Sequence, residues 1–413
     1  MTDHPPEPVV TPELRRVIGL PMLVLYGLGI TIGAGIYVLI GAAAAKAGAY
    51  APLAFLFAAF VMAFSALSFA EFTGRVPESA GEAAYVQAGF HQGWLSLATG
   101  LLVVFAAVVA GAAISLGCAG YLAVLVPLPK WMLVSVIVVS MGALAAKGVM
   151  ESVAFAGLLT VIEIAGLLVI VGAGYLHNPD IVAALPDLIP RWGDKAAFGG
   201  IFAASLIAFF AFIGFDDVVN LVEETRDPAR TMPWAIVISL IAVTVIYFLV
   251  VFVAVQSLPL DALAASEAPI GLLFERLTGM SPVAITLVAI VATLNGVVIE
   301  IVMAARVIYG LGRKGRLPPV LAAVHPVTRT PLNATVLITA VLLVLALVVP
   351  LDFLVELTSG IILAVFALVN IALTVVKLRG DVAPAGIFTV PVAVPVIGAL
   401  SSLFLLIGPF VLL

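Results

Sequence analysis

Ala208-Phe-Phe-Ala-Phe-Ile-Gly-Phe-Asp-Asp217 is an apolar run that breaks its own pattern, with a glycine and two acids inside a block otherwise suited to lipid. The surroundings show what kind of block it is. The chain has 413 residues, 64% apolar and 10% charged, and its mean hydropathy is +1.29. A soluble domain carries about 25% charged residues, so a soluble globular protein and a disordered chain are both excluded. The apolar excess falls into separate blocks, each near the roughly 20 residues needed to cross a bilayer as a helix. The fold class is an all-α polytopic membrane protein.

Cutting at Asp, Glu, Lys and Arg leaves stretches at 17–45, 47–70, 83–129, 131–146, 152–179 (interrupted only by Glu163), 196–215, 231–260, 277–299, 330–351, 357–376 and 382–413. These predict eleven spans, with Gly89, His91, Gln92 and Gly93 forming a polar lead-in to the third. Of the 18 basic residues, all but Lys46, Lys130, Arg191, Lys195 and Arg276 fall on one side of such a topology. By the positive-inside rule that side is the cytoplasm. The N-terminus is then cytoplasmic, and Leu413, after an odd number of spans, is outside. Residues 1–16 read as a polar cytoplasmic tail without a cleavable signal, and no connection is long enough to hold a soluble domain.

Other classes have little support. The net charge of −5 comes with no basic patch, so no nucleic-acid partner is expected. Cys118 is the only cysteine and the four histidines are scattered, so neither a disulfide, a metal cluster nor a cofactor is expected. Gly310-Leu-Gly-Arg-Lys-Gly315 satisfies the dinucleotide spacing, but it follows a helix without a βαβ unit and reads as a helix end. No ATP-binding loop or hydrolase motif occurs, so an enzyme is not expected.

Span 1 contains Tyr26-Gly-Leu-Gly-Ile-Thr-Ile-Gly-Ala-Gly-Ile-Tyr37, with four glycines near its middle. Glycines there serve either close helix packing, since Gly29 and Gly33 form a GxxxG pair, or an opened backbone facing a cavity. Span 6, quoted above, favours the second reading. If the chain is two five-helix halves of opposite topology, spans 1 and 6 correspond, and paired interruptions in inverted halves mark a midplane substrate site. Exposed carbonyls suit an ammonium and half-helix amides suit a carboxylate, so an amino acid fits both.

Gly33-Ala-Gly-Ile-Tyr37, Phe210-Ala-Phe-Ile-Gly-Phe-Asp216, Glu223-Glu-Thr-Arg-Asp-Pro228 and Ala305-Arg-Val-Ile-Tyr-Gly310 together resemble the amino acid-polyamine-organocation superfamily of permeases, nearest its cationic amino acid transporter and broad-specificity branch. The resemblance implies a leucine-transporter-type 5+5 inverted repeat, with repeats at 17–176 and 198–376 in a ten-helix core at 17–376. An eleventh helix at 391–413 follows, where relatives commonly have twelve spans; the oligomeric state stays open. Carried over by position, the substrate carboxylate meets the amides of Gly33, Ala34 and Gly35, and its ammonium meets the carbonyls of Thr31, Phe210 and Ile213. Most relatives have Ser where Ala34 stands, which removes a hydroxyl contact. Phe210 and Phe212 are the implied aromatic gate and pocket wall, with bundle packing as their alternative.

Three acids lie deep in spans, where a charge costs about 2.5–3.5 kcal/mol. Glu163, in Thr160-Val-Ile-Glu-Ile-Ala-Gly166, stands where several proton-coupled relatives carry Lys, so the charge is inverted; it is a proton carrier, a cation ligand or a protonated structural group. Glu300, in Asn295-Gly-Val-Val-Ile-Glu-Ile301, faces either the pocket, to select a basic side chain, or Glu163. Asp216 opens the second half of span 6, as a helix cap or a proton sensor. The expected function is alternating-access amino acid transport across the cytoplasmic membrane, coupled to protons and less readily to sodium. Polyamine or cationic amino acid exchange is the alternative, and the expected partners are the amino acid or amine, the proton and the lipid bilayer.

Overall fold

In the computed structural model, residues 16–78, 81–148, 153–313 and 315–412 are described, without the side chains of Ala34, 153–156 and 409–412. The tail at 1–15 therefore lies outside the described residues. Apart from 3₁₀ turns and one backbone bridge between Ile18 and Thr225, the regular structure is α-helical. The helices are α1 (Leu20–Ala47), α2 (Ala51–Arg75), α3 (Gly81–Phe90), α4 (Gly93–Leu125), α5 (Lys130–Ala146), α6 (Val153–His177) and α7 (Lys195–Phe212). They continue with α8 (Phe215–Val218), α9 (Pro228–Ser257), α10 (Leu260–Ala265), α11 (Pro269–Thr278), α12 (Val283–Arg313), α13 (Leu332–Val348), α14 (Leu351–Leu378) and α15 (Ala393–Leu412). Seven helical stretches among the described residues are long and apolar enough to cross a membrane, and shorter apolar helices accompany them. Apolar side chains cover both faces of most helices, as buried or lipid-facing surface.

Span 6 breaks where the sequence indicates. Asp194 caps α7, its carboxylate accepting the Ala197 N–H at 3.0 Å. The helix stops at Phe212, Ile213 turns extended, and Gly214 takes φ +125° before α8 resumes for one turn. A side chain at Gly214 would be strained by that φ and would also meet Ile30 on α1 at 2.6 Å. Asp216 stabilises the turn, its Oδ1 accepting the Gly214 N–H at 2.9 Å.

Span 1 departs from expectation: α1 is a continuous helix from Leu20 to Ala47, with no break at its glycines. They are used for close packing instead. A Cβ at Gly29 would lie 2.1 Å from Thr160 Oγ1 on α6, one at Gly33 3.2 Å from the Ala292 carbonyl on α12, and one at Gly35 2.3 Å from Ala211 Cα on α7. The missing side chains let α7 and α12 approach α1 backbone to backbone and let the Thr160 side chain of α6 seat against it, so the alternative weighed for these glycines holds.

Helix α12 runs to Arg313, well beyond the charge-free stretch that ends at Ile299, so Glu300 lies inside the helix and the helix ends near Gly312 and Arg313, as the sequence indicates. The loop before α12 folds into α10 and α11, helices too short to leave a clear trace in the sequence. They lie on the C-terminal end of α1, where a Cβ at Gly41 would sit 2.6 Å from the Leu263 carbonyl. Tyr121 on α4 fastens this cover, accepting the Ile270 N–H at 3.3 Å and donating to the Tyr37 carbonyl at 2.5 Å.

Candidate functional site

The break in span 6 borders a cavity of 30 Å³ built by α1, α4, α7 and α12 together with Ile213. Thr31, Gly35, Phe210, Ile213 and Glu300 line it, so five of the residues singled out from sequence converge there. The remaining wall includes Ile30, Ala110, Ile114 and Ile299, ordinary aliphatic residues that carry no signal in a chain this apolar. By the same measure a water needs about 10–15 Å³, so the cavity has room for about two waters and its walls must part to admit an amino acid.

Not every predicted residue faces this space. Phe212 is buried on the opposite side of α7, its ring centroid 6.4 Å from that of Phe55 and 5.2 Å from that of Tyr247. Residues two apart on a helix lie nearly back to back, so Phe210 and Phe212 cannot share one wall. Gly33 does not line the cavity, and the Ala34 side chain lies outside the described residues. The amides of Gly33, Ala34 and Gly35 lie within α1, where helical carbonyls are their partners.

Two of the three carbonyls proposed for an ammonium have hydrogen-bond partners. Phe210 O accepts the Ile213 N–H at 3.1 Å. Thr31 O accepts the hydroxyl of Tyr247, a fully buried residue of α9, at 2.7 Å; the same hydroxyl lies 3.0 Å from Ala211 O. Tyr247 thus ties the middle of α1 to the last turn of α7. Sequence reading missed it, because one tyrosine in the apolar run of span 7 looks like packing.

Below the small cavity, toward the N-terminal end of α1, a second one of 290 Å³ opens among α3, α4, α8 and α12. Glu82, Asp217 and Glu300 line it with Asn220. Glu300 belongs to the walls of both cavities and stands between them. Asp217 reaches the vestibule, whereas Asp216 is turned into the break it caps. Glu82 was not foreseen, since it sits on a short helix between two spans.

Glu163 is elsewhere. It lies mid-way along α6 at 1% exposure, lines neither cavity, and neither of its carboxylate oxygens has a hydrogen-bond partner among the described residues. Its main-chain carbonyl accepts the Tyr37 hydroxyl at 3.1 Å. Glu300 is grouped with the vestibule acids, so the arrangement does not bring the two glutamates together.

A membrane-embedded helical bundle, with a mostly apolar cavity at a helix break that carries Thr31 and Glu300 in its wall, and a wider cavity sharing Glu300, has the build of a solute transporter. The chain belongs to the amino acid permease family, whose model matches residues 18–413, within the amino acid-polyamine-organocation superfamily. It is 30% identical to the branched-chain amino acid permease BcaP of Bacillus subtilis, over 95% of this chain and 87% of that protein. It is also 30% identical to the methylthioribose transporter of the same organism, over 94% and 87%, and to the vacuolar cationic amino acid transporter 2 of Arabidopsis thaliana, over 78% and 54%. The protein is a multi-pass membrane transporter of the amino acid permease family and not an enzyme.

Proposed function

We propose that this protein moves amino acids across the cytoplasmic membrane by alternating access, coupled to protons, through eleven spans arranged as two inverted five-helix halves and a final helix. The observation that carries the reading is the cavity at the span 6 break, walled by α1, α4, α7 and α12, with Glu300 linking it to the vestibule. In this scheme the vestibule faces the cytoplasm and the α10–α11 cover faces outside, as the distribution of basic residues favours.

Binding then requires a local change in α1. For the substrate carboxylate to reach the amides of Gly33, Ala34 and Gly35, the helix must open at those residues. Ile213 O, at the end of α7, is the carbonyl best placed for the ammonium, with Thr31 O and Phe210 O joining as their present bonds yield. Phe210 shields the substrate, while Phe212 supports the wall from behind.

Proton coupling is assigned to Glu163. An unpaired carboxylate at mid-membrane costs about 2.5–3.5 kcal/mol, and binding a proton removes that charge. Glu163 has no partner that would do so otherwise among the described residues. Asp216 is the second candidate, as its bond to the Gly214 N–H would report a proton directly to the break. Uptake of labelled amino acids into proteoliposomes, with and without an imposed pH gradient, tests the scheme. Gradient-driven uptake in wild type and gradient-independent exchange in Glu163→Gln are expected; no uptake of any amino acid or polyamine would sink the proposal.

A second reading, cationic amino acid or polyamine exchange, is favoured by the three carboxylates of the vestibule. Competition by arginine, putrescine and alanine separates the two. Sodium in place of the proton is the less favoured coupling, tested by replacing sodium with choline in the same assay.

A further inference from the structure

A third cavity, of 80 Å³, lies between α5, α12 and α13, apart from the substrate path. Two arginines line it: Arg306 on α12 and Arg329 in the turn that precedes α13. Both residues are exposed, and neither forms an ion pair among the described residues. Arg329 is held in the left-handed region at φ +55°, in a turn closed by the bonds Arg329 N–H to His325 O and His325 N–H to Thr330 O, each 2.9 Å. Such a conformation costs a non-glycine residue on the order of 1 kcal/mol, yet the turn fixes this arginine at the cavity.

The N-terminus of α13 opens onto the same space. Its cap residue is Pro331, which offers no side-chain acceptor, and the first helical bond runs from Thr335 N–H to Pro331 O at 3.0 Å. Of the first-turn amides ahead of it, that of Leu332 donates to Thr330 O at 2.9 Å, which leaves those of Asn333 and Ala334 without a helical partner. Two arginines and the positive end of a helix converging on one cavity form a donor set for a tetrahedral oxyanion. The volume suits a phosphate group, being several times the roughly 10–15 Å³ one water needs.

Depth identifies the source of that phosphate. Helices α5 and α13 are 17 residues each, about 25 Å long, so the cavity at the end of one and the start of the other lies near headgroup level. On α13, Val336, Leu337, Val341 and Val344 are exposed, as on a lipid-facing helix. We propose that Arg306, Arg329 and the N-terminus of α13 bind the phosphate of an anionic phospholipid. The site is independent of which solute the protein carries.

The test is thermal unfolding of the purified full-length chain in neutral detergent, with added phosphatidylglycerol, phosphatidylcholine or inorganic phosphate. Wild type is compared with Arg306→Gln/Arg329→Gln and with a charge-matched control, Arg191→Gln/Lys195→Gln, at the opposite end of the bundle. Phosphatidylglycerol is expected to raise Tm by about 2–4 °C in wild type and control, and not in the double variant; phosphatidylcholine gives no shift. An equal phosphatidylglycerol shift in wild type and double variant overturns the site. A shift produced in full by inorganic phosphate, with no increment from the lipid, overturns the lipid as occupant. Arg329→Gln alone, changed in an exposed turn, loses most of the shift and decides the matter if the double variant does not fold.

Discussion

The crossing of α1 and α7 beside the small cavity yields the sharpest prediction. At Gly35 the missing Cβ would lie 2.3 Å from Ala211 Cα, 2.5 Å from its Cβ and 2.9 Å from its carbonyl oxygen. Carbon atoms pack at about 3.5–4.0 Å, so Gly35→Ala requires α1 and α7 to move apart by more than about 1 Å. Two of the clashing atoms are main chain and cannot rotate away. Overpacking of this kind costs about 1–3 kcal/mol, which in a chain this long lowers Tm by about 1–4 °C. The displacement falls on Thr31 and Gly35 on one side and Phe210 on the other, so uptake falls at least about tenfold. The matched control is Gly172→Ala on α6, where nothing lies within 4 Å of the added Cβ. It is expected to be neutral or to gain a few tenths of a kcal/mol, because alanine favours helix. Thermal unfolding followed by intrinsic fluorescence, with proteoliposome uptake on the same preparations, measures both effects. A Gly35→Ala protein as stable and as active as Gly172→Ala would refute the claim that α1 and α7 touch through backbone.

Further outcomes follow from the polar ties. Tyr247→Phe removes the single hydroxyl proton shared between Thr31 O and Ala211 O; a loss of about 0.5–1.5 kcal/mol is expected, read as a lower Tm with a raised KM for uptake. Glu71, fully buried, holds Arg75 at 2.8 Å, Lys377 at 2.7 Å and the Val390 N–H at 2.8 Å. Glu71→Ala leaves two cations without their counter-charge and is expected to cost about 3–5 kcal/mol, seen as a fall in folded yield and Tm that Glu71→Asp partly restores. At the end of α14, the Arg379 hydrogen bond holds the exposed Asp381 carboxyl below its usual range, while Arg379 also donates to the Gly89 and Ala88 carbonyls. A lowered folded-state pKa gives stability present above the unfolded value of about 3.9 and lost as pH falls through the folded one. Hydrogen exchange at the C-terminal ends of α3 and α14, corrected for intrinsic rates, should therefore stay constant from about pH 8 to 5 and rise only below about pH 4.

The break in span 6 was legible because Gly214, Asp216 and Asp217 have no other business in an apolar run, and Gly214 does take the φ that only glycine tolerates well. The glycines of span 1 were misread for a physical reason: opened backbone and close packing require the same missing side chain, and sequence cannot tell them apart. A lipid-embedded helix is apolar all round, so the usual stripe that tells inner from outer face is absent. Phe210 and Phe212 were therefore assigned together although they face opposite ways, and the direction of Glu300, toward the pocket or toward Glu163, stayed open until the fold put it in the cavity walls. Tyr247 and Glu82 escaped notice because their roles come from what folds against them, which no local spacing encodes.

The place of Glu300 in two walls has a consequence for how this protein can be tuned. On the proposed route, a solute leaving the small cavity for the larger one would pass the Glu300 carboxylate, which lines both. Under that proposal retention and exit share one side chain, and a substitution at position 300 is expected to alter both. A tighter grip at that residue lengthens residence, whereas faster turnover has to come from the aliphatic wall around it.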